Sequence, residues 1–358
     1  VDYFIPAMEL AVLGYPEAYS NDWEVESGGD MFIGHMFKTA WCLARAYLVD
    51  PQEPYRTAAR TLMNDMMDNG AYDYLYGAPY SGYNWETGRI SSDYKSWWDV
   101  EQAFTGGIMN YYISDNEDDR NRFLQVADGS LDFFMNYFVD DEYGEVFGST
   151  NREGEFTETR KGWFWKAGYH STEIAYYTYL YGNLFYRQEP VELYYFISES
   201  DQEQSVSLYP LAVEDNLLII DQVELEGEAF STFDADTRTL SIPAHAGGIF
   251  KVTFKLQDTG TGIPETFASA GQSLMVSVYP NPVFSKGTIQ YTMSEATDVL
   301  LQITDITGRT VYQTERRVNE PGTYYHEIDT DQLKGNGLYF VVVATDNERK
   351  TGKLIVID

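Results

Sequence analysis

The chain has 358 residues, 44% hydrophobic and 16% aromatic, with a formal net charge of −32. That length calls for two or three domains rather than one core, and no stretch approaches the ~18 uninterrupted apolar residues of a membrane span. The charge argues against nucleic acid, whose phosphates need clustered Lys and Arg, and suits an exported protein kept soluble by self-repulsion.

The chain opens on Val1-Asp2-Tyr3 rather than on a charged-then-apolar signal segment, which points to a removed signal or a longer parent chain. Residues 1–190 read as about six helices with long aromatic connectors, and all seven tryptophans fall there. Tyr3–Leu13 reads as the tail of one helix. A second runs from Asp30 as N-cap to Val49 and is stopped by Asp50-Pro51. Glu53–Asp68 follows at helical spacing and ends on Asn69-Gly70. Tyr94–Ile113, Asp118–Val139 and Ser171–Tyr186 complete the set, the last broken by Gln188-Glu189-Pro190. Strand alternation is expected only in a hairpin around Glu145–Thr159. The acidic clusters Asn116–Asp119 and Asp140–Glu142 read as caps and turns rather than calcium ligands. The Tyr-rich segment Tyr72–Tyr94 suits either packing on the helices or roofing a cleft. The sole cysteine, Cys42, has apolar helical neighbours and is expected to be buried.

The period then changes. Val191–Ile197, Val206–Leu208, Leu217–Leu225, Thr239–Ile242 and Ile249–Phe254 are short β-rich runs between Asp, Asn and Gly turns, predicting a small antiparallel β-module over 191–256. Residues 257–271 have linker composition. Over 272–358, seven runs predict an immunoglobulin-like β-sandwich: Val276–Tyr279, Gly287–Met293, Asp298–Thr304, Thr310–Arg316, Gly322–Ile328, Gly337–Ala344 and Arg349–Val356. The fold class is therefore multidomain α + β.

This last zone carries Tyr279-Pro280-Asn281-Pro282, Asp305-Ile306-Thr307-Gly308-Arg309, Leu338-Tyr339-Phe340-Val341 and a closing Lys350-Thr351-Gly352-Lys353-Leu354-Ile355-Val356. It resembles the type A C-terminal sorting domain of the type IX (Por) secretion system. The resemblance implies passage across the outer membrane, partnership with the secretion and surface-attachment machinery, and a secreted or outer-surface location. Pro280 and Pro282 suit the start of an edge strand, where no ladder N–H is required.

In the helical zone two of the four histidines open predicted helices beside tryptophans. His35 stands in Gly34-His35-Met36-Phe37-Lys38, with Lys38 on its face at i+3 and Cys42 a further turn along. His170 follows Trp163-Phe164-Trp165-Lys166-Ala167-Gly168-Tyr169. Imidazole titrates near neutrality, so such a pair suits removal and return of a proton. Gly34-His35 with Ala40-Trp41, Lys95-Ser96-Trp97-Trp98 with Glu101-Gln102-Ala103, and Lys161-Gly162-Trp163 with Tyr169-His170-Ser171-Thr172-Glu173 together resemble the N-acylglucosamine 2-epimerase superfamily, which includes cellobiose 2-epimerases and aldose–ketose isomerases.

That resemblance implies an (α/α)6 toroid of twelve helices, of which about six fall in this chain. The inner faces of such a half would need covering by an N-terminal half, a neighbouring segment or a partner chain. It implies a carbohydrate ligand, no cofactor and no metal, with His35 and His170 as the catalytic pair. Trp98 and Trp165 would stack on sugar faces, Trp97 fits core equally well, and Lys38, Gln102 and Glu173 would contact substrate. The chain departs from the family pattern twice. Lys38 stands where many relatives have Glu, and Gln102 where many have Glu, with Glu101 displaced by one. Lost carboxylates would lower a histidine's pKa, while Lys38 suits a polarised carbonyl or an anionic sugar, and Glu173 is a candidate replacement carboxylate. Two alternatives remain open: an inactive carbohydrate-binding or surface-layer protein, and a toroidal glycoside hydrolase or lyase. No Gly-rich phosphate loop, zinc-spaced Cys/His cluster or Gly-x-Ser-x-Gly elbow occurs.

Overall fold

The computed structural model describes residues 15–357 except 16, 18, 23, 26–28, 258–275, 280–282, 284, 294, 307–308, 321, 334 and 346–348. The helix expected over Tyr3–Leu13, the linker beyond residue 257, and Pro280 and Pro282 lie outside the described residues. The chain divides into two compact units, residues 1–262 and 263–358.

The first unit carries five described α-helices: α1 (Ile33–Val49), α2 (Glu53–Asp68), α3 (Trp97–Ile113), α4 (Glu117–Tyr137) and α5 (Tyr169–Tyr181). Helix α3 is the centre, packed against α1, α4 and α5 and more lightly against α2. All of its residues except Trp98 and Tyr111 are buried. Close approach depends on glycine: a Cβ at Gly107 would stand 2.7 Å from the Phe123 carbonyl oxygen and the Ala127 nitrogen of α4. A helix enclosed on every side also buries polar groups, here Asp99, Glu101, Gln102, Thr105 and Asn110. Such groups stay inside only where each finds a partner.

Three helix boundaries differ from the sequence reading. Asp30 is not an N-cap: it pairs with Asn84 in β1 (Asp30–Phe32) against β2 (Gly82–Asn84), and α1 begins three residues later without a side-chain cap. Tyr94–Ser96 is not helical; β4 (Lys95–Ser96) runs straight into α3. Helix α5 starts two residues before Ser171 and passes into a π-helical turn over Gly182–Arg187, ending at Gln188 with φ 56°. By contrast, Asn116 caps α4 as expected, its side chain accepting the Asp119 N–H at 3.0 Å. The connectors form two three-stranded sheets, β1-β2-β3 (β3 Arg89–Ser92) and β4-β5-β6 (β5 Ser149–Thr150, β6 Phe156–Glu158). Strands this short show no alternation, so only the β5–β6 hairpin was legible.

After α5 come two antiparallel sheets. One has the order β10-β9-β13-β7, from β7 (Val191–Ile197), β9 (Leu218–Leu225), β10 (Glu228–Ala229) and β13 (Gly248–Leu256). The other has the order β11-β12-β8, from β8 (Gln204–Ser207), β11 (Phe233–Asp234) and β12 (Thr239–Ile242). The β8–β9 connection reaches the C-terminal ends of the helices. Ala212 accepts from the Tyr181 hydroxyl at 2.6 Å, Glu214 accepts from Arg45 of α1 at 2.5 Å, and Asn216 donates to the Leu48 carbonyl at 3.1 Å.

The second unit holds β14 (Val276–Tyr279), β15 (Lys286–Met293), β16 (Thr297–Asp305), β17 (Thr310–Val318), β18 (Gly322–Asp329), β19 (Gly337–Ala344) and β20 (Arg349–Val356). They pair antiparallel as β14-β15-β18 and β17-β16-β19-β20. Inward residues of both sheets, among them Ile289, Tyr291, Leu301, Ile303, Val341 and Leu354, share one core.

Candidate active site

The short connector strands bring the N-terminal ends of α1, α3 and α5 together. Gly34 makes the closest approach: its N–H donates to Asp99 Oδ1 at 3.1 Å, and Ser81 Oγ donates to Oδ2 at 2.6 Å. A Cβ at Gly34 would stand 2.2 Å from Asp99 Oδ1 and 2.5 Å from the Trp98 ring, so only glycine lets α1 seat here. Complete burial raises the Asp99 pKa well above its ordinary value, against the pull of those two hydrogen bonds.

Trp98 has both histidine rings as neighbours. Its ring centroid is 5.1 Å from that of His35 and 6.2 Å from that of His170. Phe32 and Trp97 meet the same histidines edge-on, at 5.5 and 6.1 Å. Each imidazole is held through Nδ1 by a carboxylate. Glu17 Oε1 lies 2.9 Å from His35 Nδ1 and also accepts the Phe32 N–H at 2.7 Å. Glu101 Oε2 lies 3.1 Å from His170 Nδ1, and Glu173 Oε2 lies 3.5 Å away. Among the described residues neither Nε2 has a hydrogen-bond partner.

The carboxylates around His170 are themselves oriented. Thr105 donates to Glu101 Oε1 at 2.8 Å, while Tyr177 and Tyr169 donate to Glu173 Oε1 at 2.8 and 3.0 Å. Burial works against the His170 charge, but the bonds from Glu101 and Glu173 outweigh it and hold the pKa up at about 8. Glu101, fully buried, is pushed up by desolvation despite its bond to His170. Desolvation also acts on Glu173, yet its bonds to His170, Tyr177 and Tyr169 leave its pKa lowered. The sequence expectation of a histidine depressed by lost carboxylates is thus corrected at His170. Among the described residues, Glu101, His170 and Glu173 are the one group whose ligand atoms lie within 4.8 Å of one another, so they are also the residues best placed to hold a cation.

The remaining predicted residues fall in different places. Gln102 is buried and committed within the protein, accepting from Trp41 Nε1 at 2.7 Å and donating to Glu101. Lys38 is half-buried on α1. Trp165 is 79% exposed, paired edge-on with Phe164 at 4.7 Å at the tip of a turn closed by reciprocal Trp163–Lys166 backbone bonds. That turn is anchored by Lys166, buried and bonded to Glu145 Oε2 at 2.7 Å. Cys42, expected inside, is exposed on α1.

Three site residues escaped sequence reasoning. Glu17 lies in an irregular segment with no pattern to mark it. Glu101, read from sequence only as displaced by one from the family position that Gln102 occupies, is turned by the helix toward His170. Asp73 lies in the Tyr-rich connector, where Tyr72 and Tyr83 are packed inside. It binds Lys95 Nζ at 3.2 Å and Arg152 Nε at 2.8 Å, and so pins β4 just ahead of Trp97 and Trp98.

Residues 277–357 match the secretion system C-terminal sorting domain family. The protein is therefore secreted or displayed at the cell surface through its sorting domain, and the secretion machinery is its partner. Among the described residues no helix is long and apolar enough to cross a membrane. No curated protein matches the chain. Among solved structures the helical part resembles sugar epimerase and isomerase folds at a distance. A D-mannose isomerase is 20% identical with a TM-score of 0.42, over 48% of this chain and 46% of that one. Cellobiose 2-epimerase from Spirochaeta thermophila is 12% identical with a TM-score of 0.39, over 46% and 38%. A family 76 glycoside hydrolase (mannosidase) from Bacteroides thetaiotaomicron is 13% identical with a TM-score of 0.38, over 48% and 42%. The chain thus spans less than half the length of each of these structures.

Proposed function

We propose that this secreted protein is a sugar 2-epimerase or aldose–ketose isomerase that moves a proton at the carbon next to a carbonyl, using His35 and His170. The observation that carries this is the pair of imidazoles neighbouring Trp98, each held at Nδ1 by a carboxylate. A carboxylate at Nδ1 fixes the tautomer and turns Nε2 toward the ligand. The five helices read in this light as part of an (α/α)6 toroid, and the two C-terminal sheets as an immunoglobulin-like sandwich.

His170, held protonated by two carboxylates, takes the part of the acid, which leaves the base to His35. With the open-chain sugar lying over Trp98, His35 Nε2 takes the C2 proton and the electron pair moves into the carbonyl, giving an enediolate. His170 returns a proton to the opposite face of C2 for the epimer. A proton delivered to C1 gives the ketose instead. Trp98 offers its face to the apolar side of the sugar, Trp165 and Phe164 offer theirs at the exposed tip, and Gln102 and Glu173 act from behind by orienting Trp41 and His170.

A sugar-binding protein without turnover is the second reading. Its support is the exposed Phe164–Trp165 pair, which can meet a pyranose without any acid or base. A hydrolase has weaker support, because Glu101 and Glu173 both serve one imidazole instead of flanking a glycosidic bond. The test is to incubate the full-length protein in D2O with mannose, N-acetylglucosamine, cellobiose, mannobiose and a uronic acid, following the C2 proton by NMR. Deuterium at C2, lost in His35→Asn and His170→Asn, is expected. Sugar binding with no exchange in any of them would replace this reading with the second.

A further inference from the structure

We propose that the site takes a sugar bearing a carboxylate, a uronic acid, and that Lys38 of α1 binds that carboxylate. This rests on the reading of His35 and His170 as the proton-transfer pair. Lys38 follows His35 by three residues and precedes Cys42 by four, a spacing that puts all three on one helix face, with about 5–6 Å between neighbouring Cβ atoms. The Cys42 thiol feels the charges of Lys38, Arg45 and Glu173, and Tyr169 in turn feels Cys42 and Glu173. On that spacing, a sugar lying over Trp98 and reaching His35 would find the Lys38 ammonium one helical turn along.

Among the described residues, Lys38 is a half-buried cation without an ion pair. The chain has 56 acidic residues against 24 basic ones. Several other buried or half-buried cations of this unit are ion-paired: Arg45 with Glu214, Lys95 with Asp73, Lys161 with Asp140 and Lys166 with Glu145. Among the described residues, no carboxylate is within ion-pair distance of Lys38. The acidic groups nearest the site are already engaged, Glu17 by His35 and the Phe32 N–H, Glu173 by Tyr169, Tyr177 and His170. A partly desolvated ammonium left without a partner is unfavourable, and an arriving carboxylate removes that penalty. Lysine presents a compact point charge, enough for one carboxylate. A phosphate would call for more, and the other cation of this helix face, Arg45, is held by Glu214 at 2.5 Å.

The experiment measures binding, so that it does not depend on turnover. Dissociation constants of D-glucuronate, D-mannuronate, D-glucose, D-mannose and glucose 6-phosphate are determined by calorimetry on the full-length protein and on Lys38→Met and Lys38→Arg. The expected result is uronate binding about ten- to a hundred-fold tighter than that of the neutral sugars, the size of one charge-assisted hydrogen bond. Lys38→Met should lose that preference, and Lys38→Arg should keep it. Equal binding of neutral and acidic sugars, or a preference that survives Lys38→Met, overturns the proposal. Tighter binding of the sugar phosphate overturns the choice of carboxylate. C2 exchange measured alongside separates the two readings. Exchange on neutral sugars without uronate preference removes only the acidic-substrate assignment. Uronate preference without exchange on any sugar removes the isomerase and keeps Lys38 as the anion contact.

Discussion

With Glu101 fully buried on one side and Glu173 nearly so on the other, the charge on His170 is set by two neighbours rather than by solvent. Its folded pKa of about 8 stands above the ordinary 6.5, so the stability this pairing gives is complete below about pH 6.5. It is lost as pH rises through about 8. The acid role proposed for His170 follows the same curve, so the proposed activity should fall on the alkaline side with a midpoint near the His170 pKa. Glu101→Gln keeps the shape and removes the larger of the two attractions. An NMR titration of the imidazole C–H protons should show the His170 midpoint moving down by about one pH unit or more, and the alkaline limb of the rate profile should move with it. An unchanged midpoint would mean that Glu101 does not set the charge of His170. Gly34 gives a second test at this scale. A methyl group there has no room between Asp99 and Trp98. Gly34→Ala should therefore displace the start of α1 and lower stability by about 1–3 kcal/mol in denaturant titrations. C2 exchange should also fall steeply, since His35 is the next residue.

At the scale of elements, the helices were legible because each must turn an apolar stripe inward over three or more turns, and that repetition survives in the sequence. Helix α3 was legible for the same reason, yet what it does was not. Its buried face is continuous, so the pattern shows no preferred direction, and nothing in the order Glu101-Gln102 says which side chain meets His170. Only the packing of α3 against α1 and α5 settles it, by turning Gln102 to Trp41 and Glu101 to His170. Strands β1 to β4 were illegible because two to four residues carry no period, and Asp30 was mistaken for a cap for the same reason. These strands nevertheless hold the site, and Asp73 is their fastener. Lys95 is fully buried and held by Asp73, which also binds Arg152. Desolvation draws the Lys95 pKa down to about 8 in spite of that pairing. Asp73→Asn leaves a buried ammonium without its counter-charge, which costs about 3–5 kcal/mol. Thermal unfolding of the variant should show a correspondingly lower midpoint. Ring-current-shifted signals of Trp97 and Trp98 should change as well, because β4 leads directly into them. A midpoint within a degree or two of the parent would mean that the cluster does not hold β4 in place.

For the whole molecule, the division into units separates two tasks that the composition had blended into one acidic chain. The helices and the sheets up to β13 form one compact unit, and β14 to β20 enclose a core of their own. A unit that encloses its own core keeps its buried surface when the other is removed. The seven C-terminal strands were readable because they alternate cleanly between turn signals, whereas the joining segment was readable only as composition. Deleting residues 263–358 should therefore leave the unfolding transition of the first unit, and its C2 exchange if present, close to those of the full chain. In the producing cell the truncated protein should be retained inside, because the sorting domain is what the secretion machinery recognises. Cell fractionation and a thermal scan of the two forms check both halves of this expectation. A truncated chain that still reached the surface would mean that a second export signal lies elsewhere. A truncated chain that unfolded tens of degrees lower would mean that the sorting domain contributes to the stability of the helical unit as well as to its export.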